Sequence, residues 1–194
     1  MRKIIVSMWI TLDGFVASPQ DEMDWLMFDD QLQAYEQDLV ESSDGLLLGR
    51  ITHGDFAGHW PTVARNPDEH DLVRRYASRL DAMEKIVVSA SGNTAAWDST
   101  QRLERIDPDE ISKLKQGPGG NLVVYGSLSV IRPLAVLGLV DEFHLLVHPV
   151  FLRQGKPLFD GSEPPVRLGL ISAQPFPSGV VLMKYGALAD EPGD

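Results

Sequence analysis

The chain has 194 residues, of which 43% are hydrophobic and 23% are charged, a composition typical of a globular protein with one buried core. Its formal net charge of -11 argues against general binding to nucleic acid or to an anionic membrane surface. The lack of cysteine excludes disulfides, thiolate nucleophiles and cysteine-ligated metals, and favours a reducing cytoplasm.

The first half of the chain predicts alternating strands and helices. Residues 3–10 are apolar on both faces, which indicates a strand inside a parallel sheet rather than a signal peptide. Thr11 to Ala17 reads as a loop, and Asp29 to Ser43 as a helix that packs on the sheet. The apolar stripe of that helix is predicted to contain Phe28, Leu32, Tyr35 and Leu39. No segment approaches the roughly 20 apolar residues that cross a bilayer.

The next elements repeat this alternation. A second buried strand, Leu46 to Leu48, runs into Gly49 and a helix or turn. Asn66 to Asp81 is predicted to be helical with Pro67 at its start, and Lys85 to Ser89 to be the third strand. A short strand over Leu103 to Ile106 and a short helix over Pro108 to Lys115 follow.

The second half ends in a different pattern. Asn121 to Tyr125 predicts a strand that ends in Gly126-Ser127, and Leu128 to Leu139 an apolar helix. Long strands follow over residues 143–150, 166–175 and 180–188, the last two forming an antiparallel hairpin. We therefore predict a single α/β domain over residues 1–188, with three α/β/α layers, a mixed mostly parallel sheet and a frayed acidic tail over 189–194.

Four strand ends are the expected ligand site, because ligands of such sheets bind beyond the carboxyl ends of parallel strands. These ends carry Asp13-Gly14, Gly49-Arg50, Ser89-Ala90 and Gly126-Ser127. At Gly49 and Gly126 a glycine precedes a helix, whose free N–H groups and dipole favour an anion. The alternative is that both glycines only turn the chain and that Ser127 caps a helix.

Five short motifs in order then give a resemblance to a known family. They are Leu12-Asp13-Gly14-Phe15-Val16-Ala17, Gly49-Arg50-Ile51-Thr52, Val87-Val88-Ser89, Tyr125-Gly126-Ser127-Leu128 and Gly138-Leu139-Val140-Asp141-Glu142. Over roughly residues 2 to 186 the chain resembles the dihydrofolate reductase superfamily, in particular its riboflavin-biosynthesis reductase branch, the C-terminal domain of RibD proteins. The resemblance implies a dihydrofolate reductase-like fold, a homodimer and NADPH as cofactor.

The resemblance also implies roles for individual residues. Leu12, Asp13, Gly14, Val16 and Ala17 would lie over the nicotinamide and its ribose. The phosphates and the adenosine ribose would fall to the remaining positions, which are Gly49, Arg50, Thr52, Ser89, Ser91, Gly126, Ser127 and Leu128. Asp13 and Asp30 are the candidate catalytic residues.

The chain departs from the family pattern at several positions. It has His53 where an aromatic residue is common, Tyr125-Gly126 where a Gly-Gly pair is common, and Ala90-Ser91 where a basic residue often follows strand three. Since Arg50 then remains as the nearby fixed charge, we expect it to carry most of any preference for NADPH over NADH.

The substrate end of the site has weaker candidates. Asp30 follows Trp25 by five residues, as does the pterin-binding carboxylate of folate-reducing relatives, but it falls off the buried stripe. A solvated first-turn acid is therefore the favoured interpretation. Trp25 and Trp60 are candidates for the walls of the substrate cleft, although core packing explains Trp60 equally well. His144 and His148 share a strand face without further ligands, so no metal site is expected.

Two functions remain open. The first is an NADPH-dependent reductase that transfers hydride to a small heterocyclic, imine or ribosylamino-pyrimidine substrate, like 5-amino-6-(5-phosphoribosylamino)uracil reductase. The second is an NADPH-binding module without efficient turnover, because a fold and a cofactor site do not guarantee chemistry. A Rossmann fingerprint, a P-loop and a serine-esterase motif are absent from the sequence.

Overall fold

The computed structural model describes residues 1–161 and 165–188. Its helices are α1 (Asp30–Glu41), α2 (Arg50–Arg65), α3 (Asp71–Ala82), α4 (Pro108–Gln116) and α5 (Leu128–Val136). Its strands are β1 (Ile4–Thr11), β2 (Phe15–Ala17), β3 (Ser43–Gly49), β4 (Glu84–Val88), β5 (Thr100–Leu103), β6 (Asn121–Val124), β7 (Glu142–His148), β8 (Lys156–Pro157), β9 (Leu168–Pro175) and β10 (Val181–Ala187). The predicted tail over 189–194 lies outside the described residues.

Eight of the strands form one sheet in the order β5-β4-β3-β6-β1-β7-β10-β9. The first six in this order pair in parallel, and β10 pairs antiparallel with both β7 and β9. The prediction of a mixed, mostly parallel sheet with a C-terminal antiparallel hairpin is confirmed.

Helices cover both faces of this sheet, so its central strands are buried on two sides. On one face Ile4 and Val6 of β1 pack with Ile111 of α4 and Ile131 of α5. On the other face Ile5 packs in a cluster that includes α1 and α3 residues. The predicted three-layer architecture is confirmed, and it explains why the strands read as continuous apolar runs.

The start of α1 differs from the prediction. The carboxylate of Asp29 accepts hydrogen bonds from the backbone N–H groups of Gln31 and Leu32, so the helix begins at Asp30. Phe28 therefore lies before the helix and is 60% exposed, with its ring edge-on to Trp9. Its assignment to the buried stripe was wrong because an apolar side chain next to a cap extended the helical period by one position.

Several other boundaries also differ. α2 extends to Arg65 and α3 begins only at Asp71, where the His70 side chain accepts a hydrogen bond from Leu72 N–H, so residues 66–70 connect two helices. The predicted loop after β1 contains β2, which pairs with β8, and the weak strand lies at β5 rather than over 103–106. α5 ends at Val136, three residues earlier than predicted.

The helices carry no membrane-spanning segment in the part of the chain that the structure describes. None of them is both long enough and apolar enough to cross a bilayer.

Candidate functional site

The four predicted strand ends lie at one edge of the sheet. β1, β3, β4 and β6 are parallel, so the residues that follow them come out on the same side. In the order of the sheet these ends are Ser89 after β4, Gly49 at the end of β3, Gly126 after β6 and Gly14 after β1. An elongated ligand that lies along this edge would meet them one after another.

The two glycine–helix segments meet at the centre of this edge. The backbone N–H of Gly49 donates a hydrogen bond to the carbonyl oxygen of Gly126, with 3.2 Å between nitrogen and oxygen. A β-carbon added to Gly49 would lie 2.0 Å from Oγ of Ser127, which no real contact allows. A side chain at position 49 would force the Ser127 hydroxyl to move and would still lie 3.1 Å from Cβ of Ser127, so the N-termini of α2 and α5 lie side by side at close approach.

Polar side chains surround this meeting point. Arg50 is the first residue of α2 and is exposed, and Thr52 is half-buried two residues later. Ser127 precedes α5 with its hydroxyl oxygen 2.7 Å from that of Ser129, and Leu128 begins the helix. A guanidinium, hydroxyls and two helix N-termini are groups that bind phosphate oxygens.

Gly126 has a backbone conformation that other residues rarely adopt. Its φ is 129°, in the region that favours glycine. A β-carbon here would lie 3.2 Å from Oγ1 of Thr52. Replacing Gly126 by valine would therefore strain the backbone in addition to blocking a ligand, so this position is a poor test of binding alone.

The loop after β1 exposes some of its predicted residues and buries others. Leu12 is exposed and Gly14 has open space where a side chain would stand, at a φ of 85°. Val16 and Ala17 are buried, and Val16 packs in the main core. The accessible part of this loop is therefore its first half.

The carboxylate of Asp13 is occupied within the protein. It accepts hydrogen bonds from the Thr11 hydroxyl at 2.6 Å and from the N–H groups of Leu152 and Arg153 at 3.2 and 2.8 Å. Desolvation acts in the other direction, but these hydrogen bonds keep the pKa of Asp13 below its ordinary value. Asp13 ties two loops together, and an ionised carboxylate is not suited to donate a proton.

The other catalytic candidate, Asp30, lies at the first position of α1 and is exposed. Trp60 lies on α2, half-buried, with its ring against those of Phe56 and Tyr76. It belongs to an aromatic cluster between α2 and α3, so packing between helices accounts for its position.

Trp25 is buried beside the end of β7. Its ring is edge-on to that of His148, with the centroids 5.1 Å apart. The Met27 N–H donates to Nδ1 of His148, which leaves the proton of a neutral imidazole on Nε2. Burial lowers the pKa of His148 to about 4, so the ring is neutral at physiological pH. Within residues 1–161 and 165–188, neither Trp25 Nε1 nor His148 Nε2 has a hydrogen-bond partner.

Glu36 is a buried carboxyl that was not among the residues predicted from the sequence. Its Oε1 accepts from Trp9 Nε1–H at 3.0 Å, and its Oε2 accepts from the Tyr76 hydroxyl at 3.3 Å. The Tyr76 hydroxyl is also 3.3 Å from that of Tyr125, the residue before Gly126. Burial raises the pKa of Glu36 to about 7. A signal existed, because Glu36 stands four residues after Leu32 on the buried face of α1.

Polar side chains also line a separate cavity of about 720 Å³ beside α1. There the Tyr35 hydroxyl lies 2.8 Å from Nδ1 of His144, and Nε2 of the same ring lies 2.8 Å from Glu142. Lys3 and Glu142 lie at the amino ends of β1 and β7, so this cavity is at the opposite edge from the glycine segments. Among the residues with described positions, no three potential ligands are grouped to hold a metal ion.

Comparison with known proteins identifies the family. The model of the RibD C-terminal domain matches residues 2–182, nearly the whole chain. The chain belongs to the RibD C-terminal domain family. The resemblance drawn from the five motifs is thereby confirmed.

Individual relatives agree with this assignment. The chain is 34% identical over 185 residues to YyaP of Bacillus subtilis, an uncharacterized protein, covering 95% of this chain and 94% of the relative. A structure from Shewanella sp. PV-4, whose name assigns it to riboflavin biosynthesis, superposes with a TM-score of 0.71 at 20% identity, covering 96% and 99% of the two chains.

A third similarity is to a larger protein. The deaminase/5-amino-6-(5-phosphoribosylamino)uracil reductase of Thermotoga maritima matches with a TM-score of 0.65 at 15% identity, over 96% of this chain but 57% of that one. At these identities the structural matches establish the fold. The chain has the dihydrofolate reductase-like fold of RibD-type reductases.

Proposed function

We propose that this RibD C-terminal domain protein is an NADPH-dependent reductase. The observation that carries the proposal is the contact between Gly49 and Gly126, which unites two glycine–helix segments at the carboxyl ends of adjacent parallel strands. A pyrophosphate needs several N–H donors and positive dipoles at one place, and this arrangement supplies them. The open space at Gly14 and the hydroxyls near Ser89 extend the site in both directions along the same edge.

Different residues along this edge of the sheet would bind different parts of the cofactor. Gly49, Gly126, Ser127 and Arg50 would bind the phosphates, and Leu12 with Gly14 would orient the nicotinamide. Bound NADPH would supply a hydride. The protein would hold the substrate over the same end of the cleft, near the loop that contains Trp25, and exclude water from it.

Reduction of a C=N or C=O bond also requires a proton. Asp13 is ionised, whereas Glu36 keeps a proton for part of the time near neutral pH, because burial raises its pKa to about 7. The hydroxyl of Tyr76 connects Glu36 to the hydroxyl of Tyr125, which is the residue before Gly126. We propose Glu36 as the proton donor of the site, connected to it through the hydroxyls of Tyr76 and Tyr125.

The proposed substrate is a small heterocycle, an imine or a ribosylamino-pyrimidine. The support is family membership together with the Thermotoga relative, whose name includes 5-amino-6-(5-phosphoribosylamino)uracil reductase. A cytoplasmic location is part of the proposal, because a chain without cysteine fits a reducing compartment.

One observation favours the second candidate, an NADPH-binding module without efficient turnover. Asp13 is engaged in loop contacts and Asp30 is exposed, so neither carboxylate expected from the sequence stands ready in a dry pocket. The module would use the same cofactor contacts and lack only the chemistry.

The test has two stages. In a fluorescence or calorimetric titration, NADPH should bind with micromolar or tighter affinity, about -8 kcal/mol. Oxidation of NADPH is then followed with dihydrofolate, the ribosylamino-pyrimidine intermediate, and simple imines and carbonyls. Turnover with any of these supports the reductase, and saturable binding without turnover favours the module. A titration without saturation would exclude both.

A further inference from the structure

Arg102 carries positive charge to a strand end that has none of its own in sequence. Residues 89–93 contain no lysine or arginine. Arg102 lies on the edge strand β5, which pairs in parallel with β4. Its Nη1 donates a hydrogen bond to the carbonyl oxygen of Ser89, 2.7 Å away, just beyond the last residue of β4. The guanidinium therefore reaches from one strand to the carboxyl end of the next.

A second contact brings Arg102 to the same corner as Arg50. The His53 ring on α2 has Nε2 3.2 Å from Oγ1 of Thr100 on β5. Arg50 comes about one helical turn before His53, and Arg102 comes two residues after Thr100 on the same strand face. α2 begins at the carboxyl edge of the sheet, and β5 runs toward that same edge. Arg50 and Arg102 therefore both lie nearer to the proposed ligand site than the contact between His53 and Thr100 does.

The donors of Arg102 are not taken by an acid. Within residues 1–161 and 165–188 it forms no salt bridge, whereas Arg105, three residues later, lies 3.9 Å from Asp107. The fork of a guanidinium has five N–H donors, and Ser89 uses one of them. The hydroxyl oxygens of Ser89 and Ser91 lie 3.2 Å apart at the same strand end. Free guanidinium donors beside two hydroxyls suit a phosphate monoester.

The order of the strands decides which phosphate this is. The nicotinamide end of the proposed site lies at β1 and the pyrophosphate at β6 and β3, so β4 and β5 are left for the adenosine end. We infer that Arg102, with Ser89 and Ser91, binds the 2′-phosphate of NADPH and shares the discrimination against NADH with Arg50. This inference rests on the proposed function.

The test measures binding rather than turnover. Calorimetry gives the dissociation constants of NADPH, NADH and adenosine 2′,5′-bisphosphate for the wild type, Arg102→Ala and Arg102→Lys. Charged hydrogen bonds of this kind correspond to about tenfold to a hundredfold in affinity, which Arg102→Ala should lose for NADPH and for the bisphosphate. NADH affinity should stay within about twofold, because NADH lacks the 2′-phosphate. The NADPH affinity of Arg102→Lys should fall between those of the wild type and Arg102→Ala, since lysine keeps the positive charge but lacks the planar fork of the guanidinium.

Arg105→Ala is the matched control, because Arg105 is an exposed arginine on the same segment. This variant should leave the dissociation constants of NADPH and NADH unchanged. Thermal melting of each variant checks that the fold persists. Unchanged NADPH affinity in Arg102→Ala, or equal losses for NADPH and NADH, would overturn the inference while leaving the proposed function standing. If the wild type binds neither nucleotide, the proposed function fails, and the inference fails with it.

Discussion

At the scale of single residues, the neighbours Asp29 and Asp30 have different surroundings. Asp29 caps α1 and also accepts a hydrogen bond from Ser178 N–H at 2.9 Å, which ties the helix to the β9–β10 turn. Asp30 is exposed in the first turn, where its negative charge is favoured by the helix dipole. Their sequence neighbourhood is nearly identical, and the difference comes from what packs against each of them.

We predict that Asp30→Asn changes the rate of whatever reduction is found by less than about tenfold, whereas loss of a general acid would cost several hundredfold. Steady-state kinetics of the variant decide this. Asp29→Asn is the companion variant, and it should lower the melting temperature more than Asp30→Asn does. A loss of several hundredfold in Asp30→Asn would instead assign the folate-type carboxylate role to Asp30.

Gly49 gives a second prediction at this scale. Because a β-carbon at position 49 would overlap Oγ of Ser127, Gly49→Ala should lower the melting temperature and weaken NADPH binding by at least about tenfold. Removing the obstructing side chain should help, so the double variant with Ser127→Gly should recover much of the melting temperature. Additive losses in the double variant would show that the two positions are not coupled.

At the scale of elements, α1 carries its apolar face toward the sheet with Glu36 in the middle of it. Burial raises the pKa of Glu36 from 4.5 to about 7. The groups around it are the neutral indole of Trp9 and the phenols of Tyr76 and Tyr125, whose pKa values burial raises well above 10. Glu36 is therefore the group of this network that titrates near neutral pH.

The pH dependence follows from linkage. The folded state keeps a proton on Glu36 that the unfolded state has released, so the contribution of Glu36 to the free energy of unfolding is complete below pH 4.5 and is lost as the pH rises through about 7. The loss is on the order of 3 kcal/mol. Burial lowers the pKa of His148 to about 4, so its contribution to the free energy of unfolding rises with pH. That contribution is the same in the wild type and in variants at other positions, so it cancels when they are compared.

We therefore predict that Glu36→Gln gains stability relative to the wild type between pH 5 and pH 8. Denaturant unfolding at both pH values measures the difference. Glu41→Gln, an exposed position at the end of the same helix, should give a difference that is flat with pH. A flat difference for Glu36→Gln as well would contradict the raised pKa.

At the scale of the whole molecule, the hairpin leaves an apolar edge uncovered. β9 is the last strand of the sheet, and its Leu170 and Ile171 are 60% and 55% exposed. Leu170 pairs with Tyr185, on the sheet face that α4 and α5 cover further inward. An exposed, apolar edge strand is a surface that proteins protect by pairing. We propose that a second copy of this chain covers it, which gives the homodimer expected from the family resemblance.

We predict that the protein has twice the mass of one chain in size-exclusion chromatography with light scattering, and that Leu170→Glu gives the single-chain mass. A β-bulge shifts the register here, so Ser172 pairs with Lys184 and lies on the opposite face of the strand from Leu170. Ser172→Glu therefore adds the same charge and should leave the dimer in place. With a formal charge of -11 on each chain, association should strengthen as salt screens the repulsion. A wild type that elutes as a single chain at every salt concentration would refute the dimer.

The sequence by itself determined most strands of the main sheet, the helices and their order, and it predicts the edge where a ligand would bind, but it did not predict the small β2–β8 sheet. Strand patterns such as Ile4 to Thr11 and the glycines after β3 and β6 are local signals, because periodicity and backbone freedom depend on neighbouring residues. Only the tertiary structure decided that Arg102 reaches Ser89, that Glu36 joins Trp9 and Tyr76, and that Asp13 is occupied by a distant loop. These contacts join residues 13 to 140 positions apart, and their geometry and burial exist only once helices and strands have packed together.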